Sequence, residues 1–417
     1  MIGSVKRKYK EVTRIYGRNA APLYFGYYLL HKCIEAIHIK WIKMRYPVDD
    51  TLIILRSFPD YSDNAKALAE YLVKNGYTKK YKIYFDVKDL EDYKNRTEGI
   101  TFFSSKLKMG CYRLSCLRLI LTAKYLLSTH DLIIDKRHAQ KGQCLVRLWH
   151  GCGYKTRKRP ERPEMADAAL VPGPLFVKVK AAFWNIDEKY IIPIGYPRYD
   201  WLRSKDDDTL KLVNSFRTNE NTKVIIWMPT FRKDKYGRAK YDYIKITQFP
   251  ILYSIDDWKR LDSFCARNNV VIVVKRHPFQ EDYPIPFDSF SNIKEIKSDL
   301  FEQTNIQMYQ FIGATDALVS DYSSIAIDYL IVDKPIAFTL DYYEEEKKTR
   351  KFIFDDIREY MPGHHLYNIK DMENFIIDVS KGNDPYKDKR RQMYDMSITP
   401  SDCYCKSVLE HFGITIC

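Results

Sequence analysis

At 417 residues the chain exceeds what one hydrophobic core usually serves, so two domains are expected. A hydrophobic content of 45% beside 29% charged residues excludes a disordered chain. The net charge of +14 favours polyanionic partners, namely nucleic acid, anionic lipid or a phosphate-rich substrate.

Residues 1–50 are a basic amphipathic N-terminal segment. Lys6, Arg7, Lys8, Lys10, Arg14 and Arg18 precede Pro22, after which Leu30, Ile34, Ile37, Trp41 and Met44 recur at helical spacing. Such a helix lies either in an anionic membrane interface or against the protein's own core, and both readings stay open. The segment lacks a signal peptide's apolar core and cleavage site, and no run approaches the ~18 apolar residues of a membrane span. Any membrane contact is therefore expected to be peripheral.

Strand and helix patterns then alternate. Leu52–Leu55, Lys82–Asp86, Leu145–Trp149, Ala168–Val171 and Tyr190–Ile194 read as strands. A helix carries Ala65, Leu68, Ala69 and Leu72, with Ser62 as its cap and Gly76 as its stop, and Tyr112–Leu127 holds a helix and a strand. Residues 203–222, with Asp206, Asp207 and Asp208, read as a polar linker, because no strand precedes the acids to make a metal-binding DxD element. A second series follows, with strands at Lys223–Met228, Val270–Val274, Ala317–Ser320 and Pro335–Phe338. Helices fit Ile255–Asn268, Ile306–Ile312 and Ile325–Val332. The expectation is an α/β protein of two parallel sheets, 51–202 and 223–417, with a ligand cleft between the halves.

The nine cysteines make no framework. Cys403 and Cys405 are the one close pair, and nothing completes a zinc site, so reduced thiols and a cytoplasmic protein are expected. The adjacent His364 and His365 read as a loop rather than a metal site.

Chemistry-bearing residues gather at strand ends. His150 in WHGCGYK follows a strand beside Gly151, suited to taking a proton from a hydroxyl, or else simply hydrogen-bonded in a turn. Lys155 could hold phosphate or be a solvated loop residue. Arg198 in GYPRYD could face the cleft, although a structural role in the turn is favoured. In the second series, MPTFR places Thr230 and Arg232 past one strand, and KRHP places Lys275 and His277 past the next. SDYSS places Ser323 and Ser324 between a strand and a helix start, where serines commonly cap and where phosphate also binds. Three strands ending in phosphate-suited groups point to one shared phosphate site. Walker and GxGxxG loops are absent, which argues against nucleoside triphosphate hydrolysis and dinucleotide redox chemistry.

In this order, WHGCGYK, GYPRYD, MPTFR, KRHP, SDYSSIAIDYLIVDKPIAF and KFIFDDIREYMPG resemble the CDP-glycerol glycerophosphotransferase family of teichoic acid synthesis. The likeness runs over roughly residues 120–415. It implies a GT-B-like fold of two Rossmann-like domains with an interdomain cleft, an N-terminal acceptor domain and a C-terminal CDP-donor domain. It implies transfer of glycerol phosphate, or ribitol phosphate, from CDP-glycerol or CDP-ribitol to a lipid-linked glycan or polyol-phosphate acceptor, with CMP released. By the same likeness His150 is the catalytic base, His277 assists at the donor phosphates, and Thr230, Arg232, Lys275, Ser323 and Ser324 hold the pyrophosphate. Asp321 and Asp328 match the family stretch without distinct tasks. A divalent cation could assist, but no ligand cluster demands one. Cys152-Gly153 stands where relatives more often have Thr-Pro.

The basic segment would keep the enzyme at the inner face of the cell membrane. The rivals are a nucleotide-sugar glycosyltransferase of the same fold and a non-catalytic protein binding membrane or nucleic acid. No nucleic-acid module supports the last.

Overall fold

A computed structural model describes residues 2–93, 97–107, 110–156, 166–229, 249–276, 285–349 and 351–416. Two compact units result. One is Met1–His150 with Met165–Leu170 and Leu409–Cys417; the other is Gly151–Glu164 with Val171–Val408. The chain first passes between them inside WHGCGYK, well before the stretch expected to be the linker.

The first unit opens with α1 (Ile2–Tyr16) and α2 (Ala21–Arg45). It continues through β1 (Asp49–Arg56), α3 (Asp63–Lys74), β2 (Lys82–Asp86), β3 (Ile100–Phe103), α4 (Leu114–Thr122), β4 (Ala123–Ser128) and β5 (Cys144–Arg147). The two-residue β6 (Lys155–Thr156) belongs to the second unit, and β7 (Ala168–Val171) returns to the first sheet. Strands pair in the order β3-β2-β1-β4-β5-β7, parallel at every junction. Ile53, Ile54 and Leu55 are wholly buried, as parallel strands covered on both faces require. The order reverses direction between β1 and β4, which opens a crevice at the carboxyl ends of those strands.

Helix α2 has two apolar faces. Ile39 and Ile42 pack on the sheet-covering core with Leu117, Ile120 and Leu121 of α4. The stripe read from the sequence is the other face: Leu30, Ile34, Ile37, Trp41 and Met44 are between 43% and 72% exposed, and Leu23 and Tyr27 extend it. The own-core reading of that stripe is thereby overturned. Periodicity alone missed the buried face because it also carries His31 and Glu35, which are polar.

The second unit holds α5 (Phe176–Trp184), β8 (Ile191–Pro193), α6 (Tyr199–Leu202), α7 (Asp207–Asn214), β9 (Lys223–Trp227), α8 (Ile255–Arg267), β10 (Val270–Val274), β11 (Ile293–Glu295), α9 (Ser298–Thr304) and α10 (Met308–Ala314). After these come β12 (Ala317–Ser320), α11 (Ile325–Asp328), β13 (Ile336–Thr339), α12 (Tyr343–Thr349), β14 (Lys351–Phe352), β15 (His364–Leu366), α13 (Ile369–Lys381), α14 (Lys387–Ser397) and α15 (Tyr404–His411). Its sheet runs β11-β10-β9-β12-β13-β15, with the same reversal, here between β9 and β12. Trp227, Trp258, Phe249 and Phe287 build its core.

Within 203–222 the expected featureless linker is replaced by α7. The Asp206 carboxylate accepts the Thr209 N–H as an N-cap, and Asp207 and Asp208 sit in the first turn, where carboxylates favour the helix dipole. His364 and His365 lie on the edge strand β15, not in a loop; His364 Nε2 is 3.4 Å from an Asp378 carboxylate oxygen. Cys111, Cys152 and Cys265 are buried thiols outside any disulfide.

Candidate active site

The central strand of the second sheet, β9, is flanked by β10 and β12, with Trp227 opposite both Val274 and Val319. The three strands that precede MPTFR, KRHP and SDYSS are therefore neighbours, and their carboxyl ends are level. Main-chain bonds tie the ends together: Met228 N–H donates to Val319 C=O, Lys275 N–H to Trp227 C=O, and Ser320 Oγ–H to Met228 C=O. Thr230, Arg232 and His277 lie outside the described residues. Lys275 is nearly buried, and burial lowers its pKa, while Glu295 opposes that shift. Arg276 is not a ligand group, because Glu295 binds its guanidinium through both carboxylate oxygens.

SDYSS turns at the switch point of this sheet. The helix expected over Ile325–Val332 is a single α turn, Ile325–Asp328, running into a 3-10 turn at Tyr329–Ile331. A macrodipole needs length, so what this turn can offer an anion is its hydroxyls and backbone N–H groups. The turn is seated against Gly151 and Gly153. A Cβ on Gly151, whose φ is +130°, would stand 2.5 Å from Ser324 Oγ, 2.8 Å from Ser324 Cβ and 3.1 Å from Arg198 Nη2. A Cβ on Gly153 would stand 2.8 Å from the Ser324 backbone nitrogen. The two glycines of WHGCG are therefore what allow Ser324 to approach.

Beneath the turn, Asp328 is fully buried and accepts three hydrogen bonds. They come from Arg198 Nη2 at 2.6 Å, Tyr199 Oη at 2.6 Å and Tyr309 Oη at 2.8 Å. Burial and this carboxylate both push the Tyr199 phenol well up, so it stays a donor. Arg198 thus faces Asp328 inside the unit. Asp321 is also fully buried.

Lys155 lies on β6, which pairs antiparallel with β14 of the KFIFDD segment. Its ammonium sits 5.8 Å from the centre of the Tyr322 ring, and the Phe352 ring packs on Tyr322 with centroids 5.1 Å apart. Cys152 is buried with its thiol 3.2 Å from Tyr196 Oη, and burial raises the thiol's pKa.

His150 closes the first unit and directly precedes Gly151 in the chain. Trp149 before it has φ +59°, and the fully buried Asn64 of α3 donates its side-chain amide to the Trp149 C=O at 2.8 Å. The imidazole of His150 stacks on that of His130, with centroids 4.1 Å apart and planes 7° from parallel. Thr129 Oγ1 lies 3.0 Å from His130 Nδ1.

The family described as CDP-Glycerol:Poly(glycerophosphate) glycerophosphotransferase matches residues 38–404. The chain belongs to that family. The match begins well before the first motif quoted above, so residues ahead of 120 carry family likeness that motif reading missed. Among curated relatives, teichoic acid ribitol-phosphate polymerase TarL of Staphylococcus aureus is 28% identical over 56% of this chain and 42% of its own length. Teichoic acid glycerol-phosphate transferase of the same species is 24% identical over 82% of this chain and 87% of its own. The chain thus spans less than half of TarL. A solved structure of the wall teichoic acid polymerase TagF aligns at TM-score 0.69 and 20% identity, covering 94% of this chain and 98% of that one. The shared fold is GT-B-like.

Motif reading found the strand-end groups but not the residues packed behind them. Asn64, His130, Tyr199 and Tyr309 were not singled out, because each lies in an ordinary-looking helix or loop and acts through a distant contact. Among the described residues, one group has metal-ligand spacing: His31, Glu35 and Cys111, with ligand atoms within 4.8 Å of one another. Glu35 is already engaged there by Lys32 Nζ at 2.6 Å and the Tyr112 N–H at 3.0 Å, so the group ties α2 to the chain before α4.

Proposed function

We propose that the protein transfers glycerol phosphate or ribitol phosphate from a CDP-activated donor to a hydroxyl of a membrane-linked acceptor, in teichoic acid or capsular polymer synthesis. The observation that carries this reading is the seating of Ser324 against Gly151, one residue from His150, in a chain of this family. Relatives named for ribitol-phosphate and glycerol-phosphate transfer support it, as does a TagF variant, histidine replaced by asparagine, solved with CDPG.

In this reading His150 takes the proton of the acceptor hydroxyl. The oxygen forms a bond to the phosphorus that bears the polyol, and the bond from that phosphorus to the bridging oxygen breaks. CMP leaves with the electron pair. Ser323, Ser324 and Lys275, with Thr230, Arg232 and His277, hold the pyrophosphate and offset its growing charge by fixed dipoles and cations. Arg198 and Asp328 keep the turn in place.

The test is a donor panel of CDP-glycerol, CDP-ribitol and nucleotide sugars with a lipid-linked acceptor extract. Turnover with a CDP-polyol is expected; turnover with sugars only would refute the reading.

We also propose that α2 binds an anionic bilayer surface. No described helix is long and apolar enough to cross a membrane. The exposed stripe from Leu23 to Met44 is flanked by exposed Lys40 and Arg45, and the one acid of α2, Glu35, is buried. An apolar face with a basic rim and no exposed acid suits anionic lipid. Replacing Leu30, Ile37 and Met44 with serine should abolish sedimentation with anionic liposomes; unchanged sedimentation would remove α2 from membrane attachment.

A further inference from the structure

The first sheet has its own switch point, and a crevice of about 730 Å³ opens there, at the carboxyl ends of β1 to β4. Its floor is a closed ion pair. Arg56 donates through Nε to the Asp86 carboxylate at 2.7 Å and through Nη2 to both Asp86 and Ser105 Oγ, while Ser105 N–H donates to Asp86 at 2.9 Å. These groups are spent on one another. What they leave facing the crevice is Asp60, Asp131, Lys106, Arg113, Phe58 and His130.

The charge balance of this lining is unlike that of the chain. Apart from the closed pair, four carboxylates, Glu11 and Asp89 among them, face three cations in a protein of net charge +14. A site built for a bare polyphosphate would carry an excess of cations. Interspersed carboxylates, cations and hydroxyls instead suit neutral hydroxyl groups, which donate to the acids and accept from the bases. Phe58, 61% exposed, adds an apolar face of the kind that the C–H side of a sugar or polyol covers.

The crevice also reaches the residue that stacks on His150. His130 lines it and stacks face to face on the His150 ring, and the edge of Phe58 packs on His130 at 5.5 Å. The Phe58 N–H and His130 Nδ1 share Thr129 Oγ1, which ties the three residues together.

Resting on the transferase reading above, we infer that this crevice binds the sugar or polyol end of the acceptor. Asp60 and Asp131 accept its hydroxyls, and His130 is a positioning residue that fixes the His150 ring beside the attacking oxygen.

The experiment uses the full-length protein and two probes, a short-chain lipid phosphate capped by a disaccharide and one capped by glycerol phosphate. Binding is measured first without donor, by ligand NMR. Asp60→Asn and Asp131→Asn are expected to weaken binding of at least one probe about tenfold, and unchanged binding of both would overturn the proposal. Acceptor-dependent CMP release from CDP-glycerol is measured second. The acceptor KM should rise about tenfold in both variants while the donor KM stays within twofold; a rise in donor KM alone would overturn it. His130→Phe, which keeps a stacked ring, should retain kcat better than His130→Ala, and equal loss in both would remove the positioning role. Absence of turnover in the unaltered protein would defeat the transferase reading, and the donor-free binding result would still decide the crevice.

Discussion

Gly151→Ala tests whether the Ser324 turn is seated as described. Two costs add. A φ of +130° is a conformation for glycine, and alanine there costs about 1–3 kcal/mol. The new methyl would also stand 2.8 Å from Ser324 Cβ, against an ordinary contact of about 3.4 Å or more, and crowding of that size costs about 1–3 kcal/mol. Ser324 Oγ can rotate away, but its Cβ moves only with the backbone. A total of about 2–6 kcal/mol should lower Tm by about 4–24 °C, at roughly 2–4 °C per kcal/mol for a unit of this size. The turn must shift by about half an ångström or more, and misplacement of that order costs about 10²-fold in rate. CMP release is to be measured at a temperature where circular dichroism shows the variant folded, beside Gly26→Ala, whose Cβ would meet nothing within 4 Å. The control should lose neither stability nor activity. Wild-type Tm and turnover in Gly151→Ala would refute the seating argument.

Three further outcomes follow from the same contacts. Asp328→Asn leaves the Arg198 guanidinium buried without a carboxylate, and breaking such a pair typically costs about 3–5 kcal/mol, so the urea midpoint should fall sharply; Tyr309→Phe, which removes one donor of three, should cost about 1 kcal/mol. Asn64→Ala should reduce CMP release more than it reduces stability, since it frees the Trp149 carbonyl next to His150; equal loss of both would make Asn64 merely structural. Alkali should unfold the first unit. Burial raises the Cys144 thiol to about 11 and the Tyr112 phenol to about 12, so both stay protonated when folded while the unfolded chain ionises from about pH 8.5 upward. The unfolded state then binds fewer protons, and stability falls as pH rises from about 9 to 11. Denaturant midpoints across that range should show the decline, and Cys144→Ala should flatten its early part; an unchanged slope would discount the thiol.

The parallel strands were legible because burial on both faces leaves unbroken apolar runs: Lys82–Asp86, Val270–Val274 and Ala317–Ser320 have the bounds expected. Short edge strands such as Ile293–Glu295 and His364–Leu366 were not, since three residues of mixed polarity carry no period. The helix α7 escaped because its start is signalled by Asp206 capping Thr209, a cap that read as a solvated acidic loop. Motif residues could be placed at strand ends from the sequence, but not sorted into ligand-facing and buried. Arg198, favoured as a structural residue of its turn, and Asp328, read without a distinct task, prove to be each other's partners. His130 shows the converse, since nothing in STHD marks a histidine that will stack on WHG.

The central claim is attack on phosphorus with His150 as base, and the identity of the leaving group tests it most directly. With CDP-glycerol labelled at the polyol-bearing phosphate, the account predicts CMP as the nucleotide product and the label in the acceptor, with both lost in folded His150→Ala. Release of CDP with the label left on the nucleotide, or undiminished transfer by His150→Ala, would contradict it.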